Sequence, residues 1–267
     1  MALVPLNGID LNVQTEGSGD LVVLVMGTGS PGRVWRTYQV PALVKAGYRV
    51  AYFDNRGIKP SSECAGGFTI DDMVADTAAL VEHLGGPAHV IGTSLGGRIV
   101  QELALTRPEL VRSAVMMATS GRPEPVQQAW TQALCDLHDK GVEIPLQFYS
   151  VASVIRNLSQ KTLTDPVIAR DWLQMYEFAG NTLSAGERVQ LGLGEYDTRL
   201  AAYRAIGVRS LVIGFADDLV LPPRLSREVA DAIPGARYAE VADAGHVGYL
   251  ERPDEVNRLL VEFLAGA

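Results

Sequence analysis

The chain has 267 residues, 47% of them hydrophobic and 20% charged, a balance that supports a full apolar core and excludes wholesale disorder. Its 23 Lys and Arg stand against 31 Asp and Glu, a formal charge of −8, the wrong sign for a protein that neutralises a phosphate backbone, so no nucleic-acid partner is expected. Residues 1–8 lack the basic start and long apolar stretch of an export leader, and no run approaches 18 uninterrupted apolar residues, so a cytoplasmic protein without a membrane partner is expected.

Residues 9–15 alternate apolar and polar side chains and end in a Gly-Ser-Gly-Asp turn. Residues 21–26 form an unbroken apolar run, the pattern of a strand covered on both faces. A helix over 34–45 and a strand over 48–53 follow, then a turn-rich loop over 54–67. Thr69 or Asp71 opens the next helix ahead of Met73, Val74, Ala78, Leu80, Val81 and Leu84. A strand over 88–91, a helix over 95–106 and a strand over 111–117 complete a β/α alternation that predicts right-handed βαβ units in a doubly wound sheet.

The alternation then breaks. Residues 121–196 offer no strand, only helical stretches at 126–140, 145–158, 167–179 and 185–190, rich in aromatic residues. These aromatics either hold the helices to each other and to the sheet or line a ligand cavity; Trp130, Phe148, Trp172 and Tyr176 are the candidates for the second role. Afterwards the rhythm resumes with a strand at 210–213, a helix at 224–232, a strand at 238–241 and a closing helix at 253–264. Cys64 and Cys135 are expected to be reduced thiols, and no Cys/His spacing predicts a metal site.

Gly92-Thr93-Ser94-Leu95-Gly96 matches G-x-S-x-G directly between a strand and a helix. A nucleophile carried on so tight a turn has strained backbone angles and needs small neighbours. The turn also puts the Leu95 N–H at a helix N-terminus, where it can hold a developing negative charge. A serine hydroxyl requires a base, and of the four histidines only His246, in a loop straight after the last strand, opens onto the same sheet edge. His83 sits at a helix end, His89 lies back along its strand, and His138 falls on a helix flank. A carboxylate must orient the imidazole. Asp217 and Asp218 both follow the 210–213 strand and spacing does not separate them, while Asp243 suits a local turn. The order Ser, Asp, His is that of α/β-hydrolases.

These motifs together resemble an α/β-hydrolase-fold protein over essentially the whole chain, of the compact serine-hydrolase type with a helical cap, esterase or cofactor-free haloperoxidase-like. The resemblance implies a mostly parallel doubly wound sheet with the cap inserted after the sixth strand, a core at 1–120 and 197–267, and a cap at 121–196. Gly214, Asp217 and Val220 match the family's G-x-x-D-x-x-V pattern, so the resemblance favours Asp217 as the acid. His246-Val247-Gly248-Tyr249-Leu250-Glu251-Arg252-Pro253 resembles the family's histidine loop, and Asp54-Asn55-Arg56-Gly57 its D-x-R-G turn, with Asp54 and Arg56 expected as a structural pair. Met26 replaces the usual His of the oxyanion turn, but the hole is made of backbone N–H groups, and Thr28 with Leu95 is the expected donor pair.

The expectation is therefore a serine hydrolase that needs no cofactor and cleaves a carboxylic ester, lactone or thioester of a medium-sized hydrophobic small molecule through an acyl-enzyme. Elimination or cyclisation, thioester release, perhydrolysis of the haloperoxidase type and a non-catalytic ligand receptor are the alternatives. A Ser nucleophile argues against haloalkane dehalogenase and epoxide hydrolase chemistry, which needs an Asp. Gly27 and Gly29 lack the further spacing of a phosphate-binding loop.

Overall fold

The computed structural model describes residues 2–194 and 196–266. Met1, in the stretch read for a leader, Glu195, inside 121–196, and Ala267 lie outside the described residues. Eight strands form one sheet in the order β1-β2-β4-β3-β5-β6-β7-β8: β1 (Ala2–Leu6), β2 (Ile9–Gly17), β3 (Leu21–Val25), β4 (Arg49–Phe53), β5 (Ala88–Thr93), β6 (Val111–Met117), β7 (Ser210–Phe215) and β8 (Arg237–Val241). β2 pairs antiparallel with β1 and β4, and every pairing from β4 to β8 is parallel. The sheet is thus doubly wound and mostly parallel, as expected. Residues of β3 are all buried, so the apolar run read at 21–26 is a strand sandwiched on both faces.

Alternate residues of each central strand feed two separate apolar layers. Val23, Val25 and Val90 point to the layer made with α2 (Ile70–His83), α3 (Leu95–Thr106) and α10 (Pro223–Ala232). Val22, Leu24 and Ile91 point to the other, made with α1 (Gln39–Lys45) and α12 (Pro253–Ala265), where Phe263 is 1% exposed. Between β6 and β7 come the helices α4 (Pro125–Asp139), α5 (Leu146–Asn157), α6 (Gln160–Leu163), α7 (Pro166–Ala179) and α8 (Ala185–Gly192), then the single turn α9 (Leu200–Tyr203). Another single turn, α11 (Gly248–Glu251), follows the last strand.

Two details differ from the sequence reading. The 34–45 helix is divided into a 3-10 turn at Gly32–Thr37 and α1, broken at Tyr38, whose φ of −141° leaves the helical region. The first strand, β1, is an edge strand held only by β2, and its Pro5 and short length hid it. α2 begins where expected, with Thr69 and Asp72 closing a reciprocal capping box. Among the described residues no helix is long and apolar enough to cross a membrane. Cys64 and Cys135 are both free.

Candidate active site

Ser94 ends β5 and starts α3 with φ 54° and ψ −120°, a conformation few non-glycine residues adopt. Its glycine neighbours are enforced by space. A Cβ on Gly92 would stand 2.2 Å from the Gly96 carbonyl oxygen, and one on Gly96 2.2 Å from that of Val25. The elbow is locked from the sheet side by the Ser94 N–H, which donates to the Met117 carbonyl at 2.9 Å.

The loop after β8 brings His246 to this elbow. Its Nε2 lies 3.1 Å from Ser94 Oγ and its Nδ1 lies 2.8 Å from Asp218 Oδ2. A carboxylate only accepts, so Nδ1 carries the hydrogen and Nε2 is left free to take one from the serine. The Asp218 side chain is fully buried, and its other oxygen accepts the N–H groups of Val220 and Leu221, each at 2.8 Å.

Asp218, and not Asp217, therefore meets the imidazole. β7 runs on to Phe215, two residues past the expected strand end, so Gly214 lies inside the strand and a count of three from it falls one residue short. Gly214 is a glycine for packing, since a Cβ there would approach the Tyr238 hydroxyl to 2.4 Å. Asp217 is half-buried on the far side of the turn and accepts only the Gln160 N–H, at 3.3 Å. Asp243 is exposed at φ 55°, a turn position. The remaining histidines lie elsewhere. His89 is buried against Ser113, with its pKa lowered by burial, His138 leans on Asp139, and His83 is exposed at the end of α2.

Thr28 and Leu95 border the same cavity as Ser94 and His246, and among the described residues neither backbone N–H meets an acceptor. The turn carrying Thr28 is held from both sides. Asn55 Nδ2 donates to the Met26 carbonyl at 2.8 Å, and the buried Gln190 of α8 accepts the Gly29 N–H at 2.9 Å while donating to the Arg56 carbonyl at 2.8 Å. The Met26 side chain, in place of a histidine, is buried and receives the Tyr249 hydroxyl at 3.7 Å. Asp54 and Arg56 do not pair with each other. Asp54 accepts from Asn12 and Gly32, both at 2.7 Å, whereas Arg56 forks onto Asp76 at 2.5 and 2.6 Å.

The cavity measures about 430 Å³, within the range of small-molecule sites. Of the four cap aromatics, Trp130 and Tyr176 line it. Phe148 is 65% exposed on the outer side of α5, and Trp172 stacks behind Tyr176 with ring centres 6.4 Å apart. Helical phase turns these two away from the site. Sequence reasoning missed Arg98, Arg156 and Gln190, and it named Glu251 as part of the histidine loop without assigning its partners. Arg98 stands four residues after Ser94, one helical turn away on the same face, and that spacing was a readable signal. Glu251 fixes the histidine loop. It accepts the Gly245 N–H at 2.6 Å and both the N–H and hydroxyl of Ser159, at 2.9 and 2.8 Å. Among the described residues no group of three or more His, Cys, Asp or Glu side chains is placed to hold a metal.

Comparison with known proteins agrees with this architecture. The model of a family described by its alpha/beta hydrolase fold matches residues 20–253. The chain belongs to the α/β-hydrolase fold family. One curated relative of this α/β-hydrolase, from Mycobacterium tuberculosis and provisionally named the non-heme bromoperoxidase BpoC, is 48% identical over 258 residues, 96% of this chain and 98% of the relative. The solved structure of Rv0554 from Mycobacterium tuberculosis superposes with a TM-score of 0.93 at 48% identity, covering 97% and 94% of the two chains. The enol-lactonase of Burkholderia xenovorans LB400 superposes with a TM-score of 0.84 at 25% identity, covering 99% and 100%. The chain is an enzyme of the α/β-hydrolase fold.

Proposed function

We propose that the protein is a serine hydrolase that cleaves a carboxylic ester or lactone through an acyl-enzyme, with Ser94, His246 and Asp218 as its catalytic triad. The observation that carries this reading is the unbroken relay from a strained serine hydroxyl through one imidazole to a buried carboxylate. Ser94 Oγ attacks the carbonyl carbon as His246 Nε2 takes its proton. The imidazolium formed is stabilised by Asp218, which two backbone hydrogen bonds hold in orientation. The carbonyl oxygen becomes an oxyanion that the unpaired N–H groups of Thr28 and Leu95 hold. His246 then protonates the leaving alkoxide, the alcohol departs, and water activated by the same nitrogen releases the acid.

The name of the 48% identical relative supports a second reading, in which the acyl-enzyme is captured by peroxide. The product would be a peracid that oxidises bromide, and both routes pass through the same acyl-Ser94. An active-site fluorophosphonate tests what they share. It should label the protein once, at Ser94, and His246→Ala should abolish labelling; labelling elsewhere, or undiminished labelling of the variant, removes the triad. Bromination that requires both hydrogen peroxide and a short carboxylic acid distinguishes the second reading from plain hydrolysis.

A further inference from the structure

Two guanidinium groups line the cavity, and among the described residues neither forms an ion pair with a carboxylate. Arg98, one turn after Ser94 on α3, donates Nη1 to the Leu193 carbonyl at 2.6 Å and lies 3.7 Å from the centre of the Tyr196 ring. Its Nε is buried and has no partner. Arg156, on α5, donates to the Gln127 side chain at 2.7 Å and lies 4.0 Å from the centre of the Trp130 ring. Outside the cavity, Arg56, Arg122, Arg188 and Arg199 each fork onto a carboxylate at 2.9 Å or less, whereas Arg49 and Arg209 donate to backbone carbonyls, as Arg98 does. Burial pushes the pKa values of Arg98 and Arg156 down, and a guanidinium remains charged through any such shift. Stacking on an aromatic face holds each fork flat and leaves other N–H edges free to donate.

The acids around the cavity do not cancel this charge. Glu124 is already matched to Arg122 and Arg224, at 3.3 and 2.8 Å. Glu187 caps Ser184 and has no cation among the described residues. Asp218 is committed to His246. Glu102, near Arg98, is forked by Arg199, so among the described residues two guanidiniums against Glu187 leave one positive charge facing the space beside Ser94. That space lies in a protein of net charge −8, so the charge is local to the cavity.

We infer that the substrate carries a carboxylate, held by Arg98 and Arg156 at a distance from the carbonyl that Ser94 attacks. A single excess positive charge matches a monoanion better than a phosphate dianion. The apolar lining from Trp130, Leu134, Tyr176 and Val220 covers the rest of the molecule, which is then amphipathic and not simply hydrophobic. The inference takes the reacting bond from the acyl-enzyme reading, but the anion site itself stands on the cavity alone.

Binding to the Ser94→Ala protein separates the two. Calorimetric titration with monomethyl glutarate, dimethyl glutarate and inorganic phosphate should give the monoester, a monoanion, as the tightest ligand, at least about 10-fold above the diester, the scale of a charge-assisted hydrogen bond. Arg156→Gln in that background should lower the monoester-to-diester affinity ratio about 10-fold, and Arg156→Lys should keep most of it. Arg98→Gln should act in the same direction, and Arg156→Gln carries the test if Arg98→Gln does not fold. Equal affinity for monoester and diester, an unchanged ratio in Arg156→Gln, or tighter binding of phosphate overturns the inference, whatever Ser94 does with a fluorophosphonate. Conversely, arginine-dependent monoester binding by a protein whose Ser94 resists labelling sinks the hydrolase reading and leaves the anion site intact. In turnover, the kcat/KM ratio of an aryl hemiglutarate to an aryl butyrate should fall in both Gln variants.

Discussion

The sheet and the cap use opposite kinds of packing. Strands β3, β5 and β7 are buried at every residue, and Ser94 and Asp218 follow the ends of β5 and β7 while His246 follows β8. The cap is looser. α7 contains no buried residue, and Val126, Phe148, Val167 and Phe178 are 75, 65, 64 and 94% exposed. Yet it supplies much of the cavity wall and one of the two unmatched arginines, Arg156, the other standing on α3. The sheet holds reacting atoms to hydrogen-bond distances, and the cap decides what may sit against them. Chemistry and selectivity are thus carried by regions with different tolerance to change.

The largest test of this division lies at the strand ends. Ser94→Ala should lower kcat on the order of 10⁴–10⁶-fold, and Asp218→Asn about 10⁴-fold by presenting the wrong partner to the imidazole. Asp217→Asn should change kcat less than about 3-fold, since its carboxylate meets only the exposed Gln160 N–H; steady-state kinetics on one aryl ester compares all three. Next comes packing. Phe263→Ala should cost about 3–5 kcal/mol in urea unfolding, whereas Phe178→Ser should stay within about 0.5 kcal/mol. A large loss at Phe178 would mean that the cap is packed as tightly as the sheet. Where the regions meet, Gln190→Ala leaves the Gly29 N–H and the Arg56 carbonyl without their partner. It should cost about 1–3 kcal/mol and lower kcat more than it raises KM, because it frees the turn that carries Thr28. The smallest effect is at His89. Its folded pKa is depressed by burial, so below its ordinary value near 6.5 the unfolded chain binds the extra proton and stability drops as pH falls. His89→Gln should flatten that part of the stability–pH curve, read from unfolding midpoints between pH 7.5 and 5.

Much of this was legible in the sequence because it depends on local chemistry. A G-x-S-x-G between an apolar run and an amphipathic helix can hardly be anything but a tight turn, and a Gly-His after the last strand has one sheet edge to face. The helix over 95–106 and the strand over 111–117 match α3 and β6 residue for residue. The acid was not legible, because the choice between Asp217 and Asp218 turns on whether β7 ends at Ile213 or Phe215, and strand ends are set by pairing with β8. The cap aromatics were half legible for a related reason. Periodicity identifies a helix but not which face meets the sheet, so Trp130 and Tyr176 point inward while Phe148 does not. The bridge from Gln190 to Gly29 spans 161 residues, and no sequence pattern announces such a contact.

Glu251 has a mechanical consequence. One carboxylate clamps the Gly245 amide beside His246 and the Ser159 amide and hydroxyl at the junction of α5 and α6. If that junction swung outward to admit a ligand, it would tug on the imidazole's own tether and switch the relay off while the door stood open. Gln190 rivets α8 to Gly29 in the same manner. Because α4 is itself tied to α8 by the Asp139–Arg188 fork, traffic through the roof has to pass by way of α7 if the machinery below is to stay armed throughout.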